Sequence, residues 1–274
     1  MKKIILAALL ACSAQYASAN STPTSEPELH PAFAQAESLI KANNYKAAYD
    51  LLNKLADEGN AQAIYNVGYL TQTGQGTTQD IKKAVQLYQL SARKGYPVAN
   101  YVLGKNYAEG GLGLKPDINK AKEYLEKASQ LKFDDATVEL ATLLLAESKP
   151  ESNQRALSLL NPLVAKGHPQ AQYVKALYDM SIGVKNSSVP EVNKALKSIQ
   201  DLAQKGYVPA VMGVANMLAA GQIVEQNLEE ARKLFAQLAQ NNVPNAQASL
   251  DQVNQMIAQK AQSAGKTQTA TKKK

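Results

Sequence analysis

The sequence predicts an all-α fold, a right-handed α/α solenoid of stacked helix pairs, on three observations. Helix formers dominate: Ala, Leu, Lys, Gln and Glu are abundant, Trp is absent, and three Phe occur among 274 residues. Two alanine series keep one register: Ala63, Ala99, Ala136, Ala171, Ala210 and Ala246 recur at intervals of 36, 37, 35, 39 and 36, and Ala48, Ala84, Ala121, Ala156, Ala195 and Ala231 run in step. Eleven residues after each member of the second series comes a turn residue, in order Gly59, Gly95, Lys132, Gly167, Gly206 and Asn242. Gly or Asn at five of those six positions is the choice a left-handed helix C-cap makes.

The chain opens on an export leader, residues 1–19. Met1-Lys2-Lys3 supplies positive charge, Ile4 to Ala11 an apolar stretch, and Ala17-Ser18-Ala19 the small residues of a cleavage site. Eight apolar residues span about 12 Å as a helix, far short of a bilayer, and no later segment has membrane-spanning length. Cys12 offers an alternative, because Leu9-Leu10-Ala11-Cys12 resembles a lipobox whose cysteine is acylated. The expected product is thus periplasmic or secreted after cleavage near Ala19, with an outer-membrane lipoprotein anchored through Cys12 as the other outcome. Either way no thiol is left for a disulfide, a metal or a nucleophile, Cys12 being the only cysteine.

Residues 20–30, rich in Ser, Thr, Pro and Glu, read as a flexible linker. Residues 31–259 read as about six helix pairs with a closing helix. Pro31 to Ala42 and Tyr45 to Glu58 form a first, shorter pair joined by Asn43-Asn44. In the next unit Ile64, Val67 and Gly68 fall at helical spacing, Gly74-Gln75-Gly76 breaks the pattern, and Asp80 caps a helix whose stripe is Ala84, Leu87, Tyr88 and Ala92. Leu250, Val253 and Ile257 share one face of the closing helix, Ala246 to Gln259. Residues 260–274 are small, polar and lysine-rich and are expected to be disordered.

Ala63-Ile64-Tyr65-Asn66-Val67-Gly68, the Gly74-Gln75-Gly76 loop, Asp80 to Ala84 and Ala92-Arg93-Lys94-Gly95 together resemble a Sel1-like repeat, a relative of the tetratricopeptide repeat with a longer loop between its helices. The second unit matches through Ala99, Gly104, Tyr107, Gly110, Gly113, Asp117, Ala121 and Ala128. Later units depart from the pattern: Ala141, Ala176 and Ala215 replace the glycine, and Ser148-Lys149-Pro150-Glu151 stands where the glycine loop belongs. The resemblance implies an exported scaffold that binds other envelope proteins through the first helices of its pairs and assists or regulates an envelope-spanning complex such as a secretion system. By analogy with the tetratricopeptide groove, the inward positions are Tyr65, Tyr69, Tyr101, Lys105, Val138, Thr142, Tyr173, Leu177, Met212 and Asn216. Tyrosine suits a binding surface, being large, with few rotors and a polar tip; the tyrosines three before the glycine position can equally pack between units.

The formal charge of +7 does not imply nucleic acid. Lys2 and Lys3 lie in the leader and Lys260, Lys266, Lys272, Lys273 and Lys274 in the tail, so residues 20–259 carry 23 basic and 23 acidic groups. The basic tail leaves a peptidoglycan- or glycan-binding module as an alternative. Catalysis finds no carrier. His30 and His168 are the two histidines, too few and too far apart for a zinc site, and His168 occupies the turn position held elsewhere by Tyr96, Phe133 and Tyr207. The Ser-x-x-Lys spacing of β-lactam-acting enzymes occurs four times, starting at Ser38, Ser91, Ser129 and Ser263, without a Ser-Asp-Asn or Lys-Thr-Gly partner. The glycine loops do not continue into a phosphate-binding motif. No cofactor, metal or membrane span is expected.

Because Ala84 stands where neighbouring helices approach, Ala84→Leu is expected to overpack that contact and lower stability by about 1–3 kcal/mol. Urea denaturation of the two forms measures it.

Overall fold

A computed structural model describes residues 31–271, with side chains to residue 262. The leader, Cys12, the linker, His30 and Lys272 to Lys274 lie outside the described residues. Those described form thirteen helices and no strand. Contact density divides them within the last turn of the eighth helix, into residues 31–163 and residues 164–271.

The first body holds α1 (Pro31–Lys41) and α2 (Tyr45–Asp57), then α3 (Ala61–Thr73) and α4 (Ile81–Arg93). It continues with α5 (Pro97–Glu109) and α6 (Ile118–Gln130), then α7 (Asp134–Ala146) and α8 (Pro150–Ala165). The second body holds α9 (Pro169–Lys185), α10 (Val189–Gln204), α11 (Val208–Ala220), α12 (Leu228–Gln240) and α13 (Ala246–Thr271). Within each body, neighbours in sequence pack as neighbours in space, both within pairs, as α3 on α4 or α9 on α10, and between pairs, as α4 on α5 or α10 on α11.

The alanine series mark the tightest contacts. Ala63, Ala99, Ala136, Ala171, Ala210 and Ala246 are fully buried, as are Ala48, Ala84, Ala121, Ala156 and Ala231, and Ala195 is nearly so. Four residues after each member of the second series comes a large side chain sealed from solvent, namely Leu52, Tyr88, Leu125, Leu160, Ile199 and Phe235. A small residue facing a large one lets the axes approach while the large one fills the space beside it. At the glycine position the approach is closer still: a Cβ on Gly104 would stand 2.7 Å from Cγ of Leu125, and one on Gly68 3.0 Å from Cε1 of Tyr88.

All six turn residues adopt the left-handed conformation, with φ from 54° at Asn242 to 90° at Gly59. Five of the six turns share one bond pattern. Gly59 N–H donates to Ala56 O at 2.9 Å and Asn60 N–H to Leu55 O at 3.0 Å, and Lys132 and Phe133, Gly206 and Tyr207, and Asn242 and Val243 repeat the arrangement. These are Schellman closures, which satisfy the last carbonyls of one helix and start the next two residues after Gly59, Lys132 and Gly206 and four after Asn242. Asn60 and Asp80 then cap their helices, accepting from Ala63 N–H at 2.9 Å and Lys83 N–H at 2.8 Å.

The connections within pairs are of two kinds. After α3, α5 and α11 a left-handed glycine (Gly74, Gly110, Gly221) ends the helix. The loop then folds back, with Asp80, Asp117 and Asn227 N–H donating to Thr71, Tyr107 and Leu218 O at 3.0, 2.7 and 3.0 Å. Gly76 lets its loop lie against the preceding pair, since a Cβ there would meet Tyr45 O at 2.2 Å. In the fourth and fifth pairs, α7–α8 and α9–α10, the glycine loop is gone. Ser148 and Ser187 make tight turns at φ 56° and 55°, and α8, α9 and α10 lengthen to 16, 17 and 16 residues against 13 in α3.

One boundary differs from the sequence reading. The closing helix does not stop at Gln259, and residues expected as disordered tail continue it to Thr271. The helix thus runs on past its last packed turn at Met256 and Ile257, through Ala, Gln and Lys interspersed with the weaker formers Ser263, Gly265, Thr267, Thr269 and Thr271.

Lys132 is the one long side chain among the six left-handed turns, a conformation that costs an L-residue about 1–2 kcal/mol. Lys132→Gly is expected to raise stability by about 0.5–1 kcal/mol after the entropy of glycine is counted. Gly167→Ala, whose Cβ would meet nothing within 4 Å, is expected to lose about 1 kcal/mol through backbone strain alone. Thermal melts of both variants test the pair of signs.

Candidate protein-binding face

The ten inward positions separate into buried and accessible sets. Tyr101, Val138, Tyr173, Leu177 and Met212 are buried. Tyr69 is 49 % exposed, and Tyr65, Lys105, Thr142 and Asn216 are partly exposed. The expectation of ten surface positions is therefore corrected at the buried five, which are covered by packing.

The cover comes from the residue just after the turn. The Tyr65 ring lies 5.4 Å from that of Tyr96, Tyr101 lies 5.1 Å from Phe133, and Tyr173 meets Tyr207 edge-on at 5.8 Å. Met212 and Val243 take the same two places in one apolar cluster. Aromatic pairs in this separation range add roughly 0.5–1.5 kcal/mol to their area burial. Burial pushes the Tyr65 phenol up to about 12, with Tyr96 and Tyr69 adding to the shift. Burial also raises the Tyr101 phenol, reinforced by the charges of Glu139, Asp135 and Glu109. These phenols are neutral packing groups at physiological pH.

What remains open is clearest between α1 and α3. There a hollow of about 240 Å³ has Phe33, Ala36, Leu52 and Leu70 as its floor and Glu37, Gln62, Asn66 and Tyr69 around its mouth. The floor residues are buried members of one apolar cluster. A second hollow, of about 470 Å³ between α6 and α8, is lined by charge. Lys122 pairs with Glu147 at 2.6 Å and Arg155 pairs with Glu126, so its polar groups satisfy one another.

Ser91, Ser129 and His168, among the residues considered for chemistry, have structural duties. Ser91 Oγ donates to Ala61 O at 2.6 Å, tying α4 to the start of α3. Ser129 Oγ and Thr137 Oγ1 lie 2.7 Å apart across α6 and α7. His168 caps α9, its Nδ1 accepting from Ala171 N–H at 3.4 Å. No group of His, Cys, Asp or Glu among the described residues could hold a metal ion, and no described helix is long and apolar enough to cross a membrane.

The profile of the Sel1 repeat matches residues 37–60, 61–96, 97–133 and 208–243. The unmatched stretch includes the two pairs that lack the glycine loop. Among curated proteins the chain is similar to chitin synthase regulatory factor 3 of Schizosaccharomyces pombe, 31 % identical over 137 residues, covering 47 % of this chain and 14 % of that protein. It is also similar to DAP3-binding cell death enhancer 1 of Mus musculus, 29 % identical over 187 residues, covering 66 % of this chain and 36 % of that protein. The chain thus spans well under half the length of these relatives. Among solved structures, a Sel1 repeat protein from Oxalobacter formigenes superposes with a TM-score of 0.60 at 24 % identity, over 83 % of this chain and 99 % of the other. The match at 208–243 includes a unit whose glycine is replaced by Ala215; Gly221-Gln222 and Gln226-Asn227 repeat Gly74-Gln75 and Gln79-Asp80 there, a signal the sequence carries.

Burial separates the two roles of these tyrosines. Tyr101→Ala is expected to cost about 3 kcal/mol or more of folding stability through the cavity it leaves. Tyr69→Ala is expected to stay within about 0.5 kcal/mol of the parent. Denaturant titration of the two variants provides the comparison.

Proposed function

This chain is a Sel1 repeat protein, and on that premise we propose that it is a non-catalytic scaffold in the periplasm. It binds other envelope proteins through the first helices of its pairs and assists assembly or regulation of an envelope-spanning complex such as a secretion system. The observation that carries the binding part is the α1–α3 hollow: an apolar floor opening beside a half-exposed tyrosine, ringed by polar groups. An apolar centre with a polar rim is the make-up of a protein-binding site. The placement in the periplasm rests on the leader, Lys2-Lys3 followed by Ile4 to Ala11 and Ala17-Ser18-Ala19.

The curated relatives bear on the role by their kind. One is a regulatory factor for an enzyme and another a binding protein that enhances cell death. Regulation through protein contact is the activity a repeat scaffold supplies without chemistry of its own.

Two measurements test the reading. The mass of the mature protein is expected to correspond to a chain starting at Asn20; a lipid-modified chain starting at Cys12 would move it to a membrane. A photocrosslinking residue at position 69 is expected to capture a defined envelope protein in living cells, and the same residue at exposed position 118 is expected not to. Equal labelling from both positions would remove the face from the proposal.

A further inference from the structure

We infer that the hollow between α1 and α3 takes an extended, cationic segment of a partner protein, with one large apolar side chain in the hollow and a lysine or arginine beside Glu37. This deepens the scaffold reading and depends on it.

The shape of the partner follows from α3. Gln62 and Asn66 stand four residues apart on the side of that helix which lines the hollow. Neither side-chain amide bonds to another described residue, so each offers a donor pair and an acceptor. Four residues of helix rise about 6 Å. An extended chain presents backbone groups to the same side every two residues, about 6.6–6.8 Å apart. The two amides can therefore meet successive N–H and C=O groups of an extended backbone. A helical partner has already used those groups internally and would leave both amides without a backbone partner.

The chemistry follows from the lining. Phe33, Ala36, Leu52 and Leu70 supply an apolar floor, and about 240 Å³ accommodates one large side chain but no second element of structure. Glu37 is the only lining side chain charged at neutral pH, and Lys41 holds its carboxyl below the usual range. The Glu37–Lys41 pair spans 2.6 Å, with both side chains more than 60 % exposed. Such an exposed pair contributes little, so an incoming lysine or arginine can replace Lys41 at the carboxylate. Tyr69, exposed at the rim, offers its ring to the same cation or to the peptide plane.

The test is selection of linear peptides of about twelve residues from a random display library on the full chain, followed by fluorescence anisotropy on synthetic copies. Enriched sequences are expected to share a Leu, Ile, Met or Phe within two residues of Lys or Arg, and to keep binding with proline beside the anchor, which an extended chain tolerates and a helix does not. Gln62→Ala with Asn66→Ala is expected to weaken them about tenfold or more and Glu37→Lys to weaken them further, with thermal melts unchanged. Enriched peptides that form helices, are abolished by proline, or bind the double alanine variant equally would overturn the extended geometry while leaving the binding face intact. Peptides rich in Asp or Glu would overturn the charge assignment. Failure to enrich any peptide sensitive to Tyr69→Ala would overturn both this inference and the use of this face by a partner.

Discussion

Everything in this protein depends on how closely one helix can lie against the next. With Ala at twelve registered positions, nearly all of them inaccessible, helix backbones approach until a single large side chain from the partner helix fills the remaining space. The turn must then deliver each new helix at the matching height, and the left-handed Schellman closure does so within two residues, or four after Asn242. Small contact residues and fixed turns thus act together. If the alanines grew, the turn geometry would no longer bring the helices into register; if the turns varied, the alanines would face the wrong partners.

Most of this was legible in the sequence because it is repetitive. Ala48 and Gly59 mean little alone, but six copies at one spacing fix helix faces, pairings and the handedness of the turn residue, and Asp80 announces its helix by a local bond. The site was less legible because burial is not a local property. Tyr101 and Tyr69 both fall on the inward face by the repeat pattern, one helical turn apart within it, yet Phe133 from the following pair buries the first while the second stays half exposed. The hollow was not legible at all: its residues come from α1, α2 and α3, and no spacing within one unit relates Phe33 to Asn66. The length of α13 escaped because the polar, apolar-poor stretch after Gln259 carries no packing pattern to mark a helix, and Ser263, Gly265, Thr267, Thr269 and Thr271 weaken the local signal.

The fourth and fifth pairs show how the fold tolerates the loss of a motif. Where Gly74, Gly110 and Gly221 end their helices and a loop folds back, Ser148 and Ser187 turn tightly between lengthened helices. The alanine contacts and the post-turn residues persist throughout, because Ala136, Ala171 and Ala156 are as buried as their counterparts. The glycine loop is thus a variable outer edge, and the helix contacts are the constant interior. This accounts for a family profile that finds the ends of the solenoid more readily than its middle.

The ring contacts across the turns have a consequence for how such a chain changes in length. Each unit carries both halves of a joint: a side chain on its first helix that projects toward the next unit, and a post-turn residue that receives the one before, as in Tyr65 with Tyr96, Tyr101 with Phe133 and Tyr173 with Tyr207. A duplication or deletion of one whole repeat period, wherever its breakpoints fall, regenerates a complete joint at the new junction. Segments of that length can be gained or lost while the new junction still pairs a first-helix residue with a post-turn residue. The pair itself, Tyr with Tyr or Phe in some joints and Met with Val in another, changes with the units brought together.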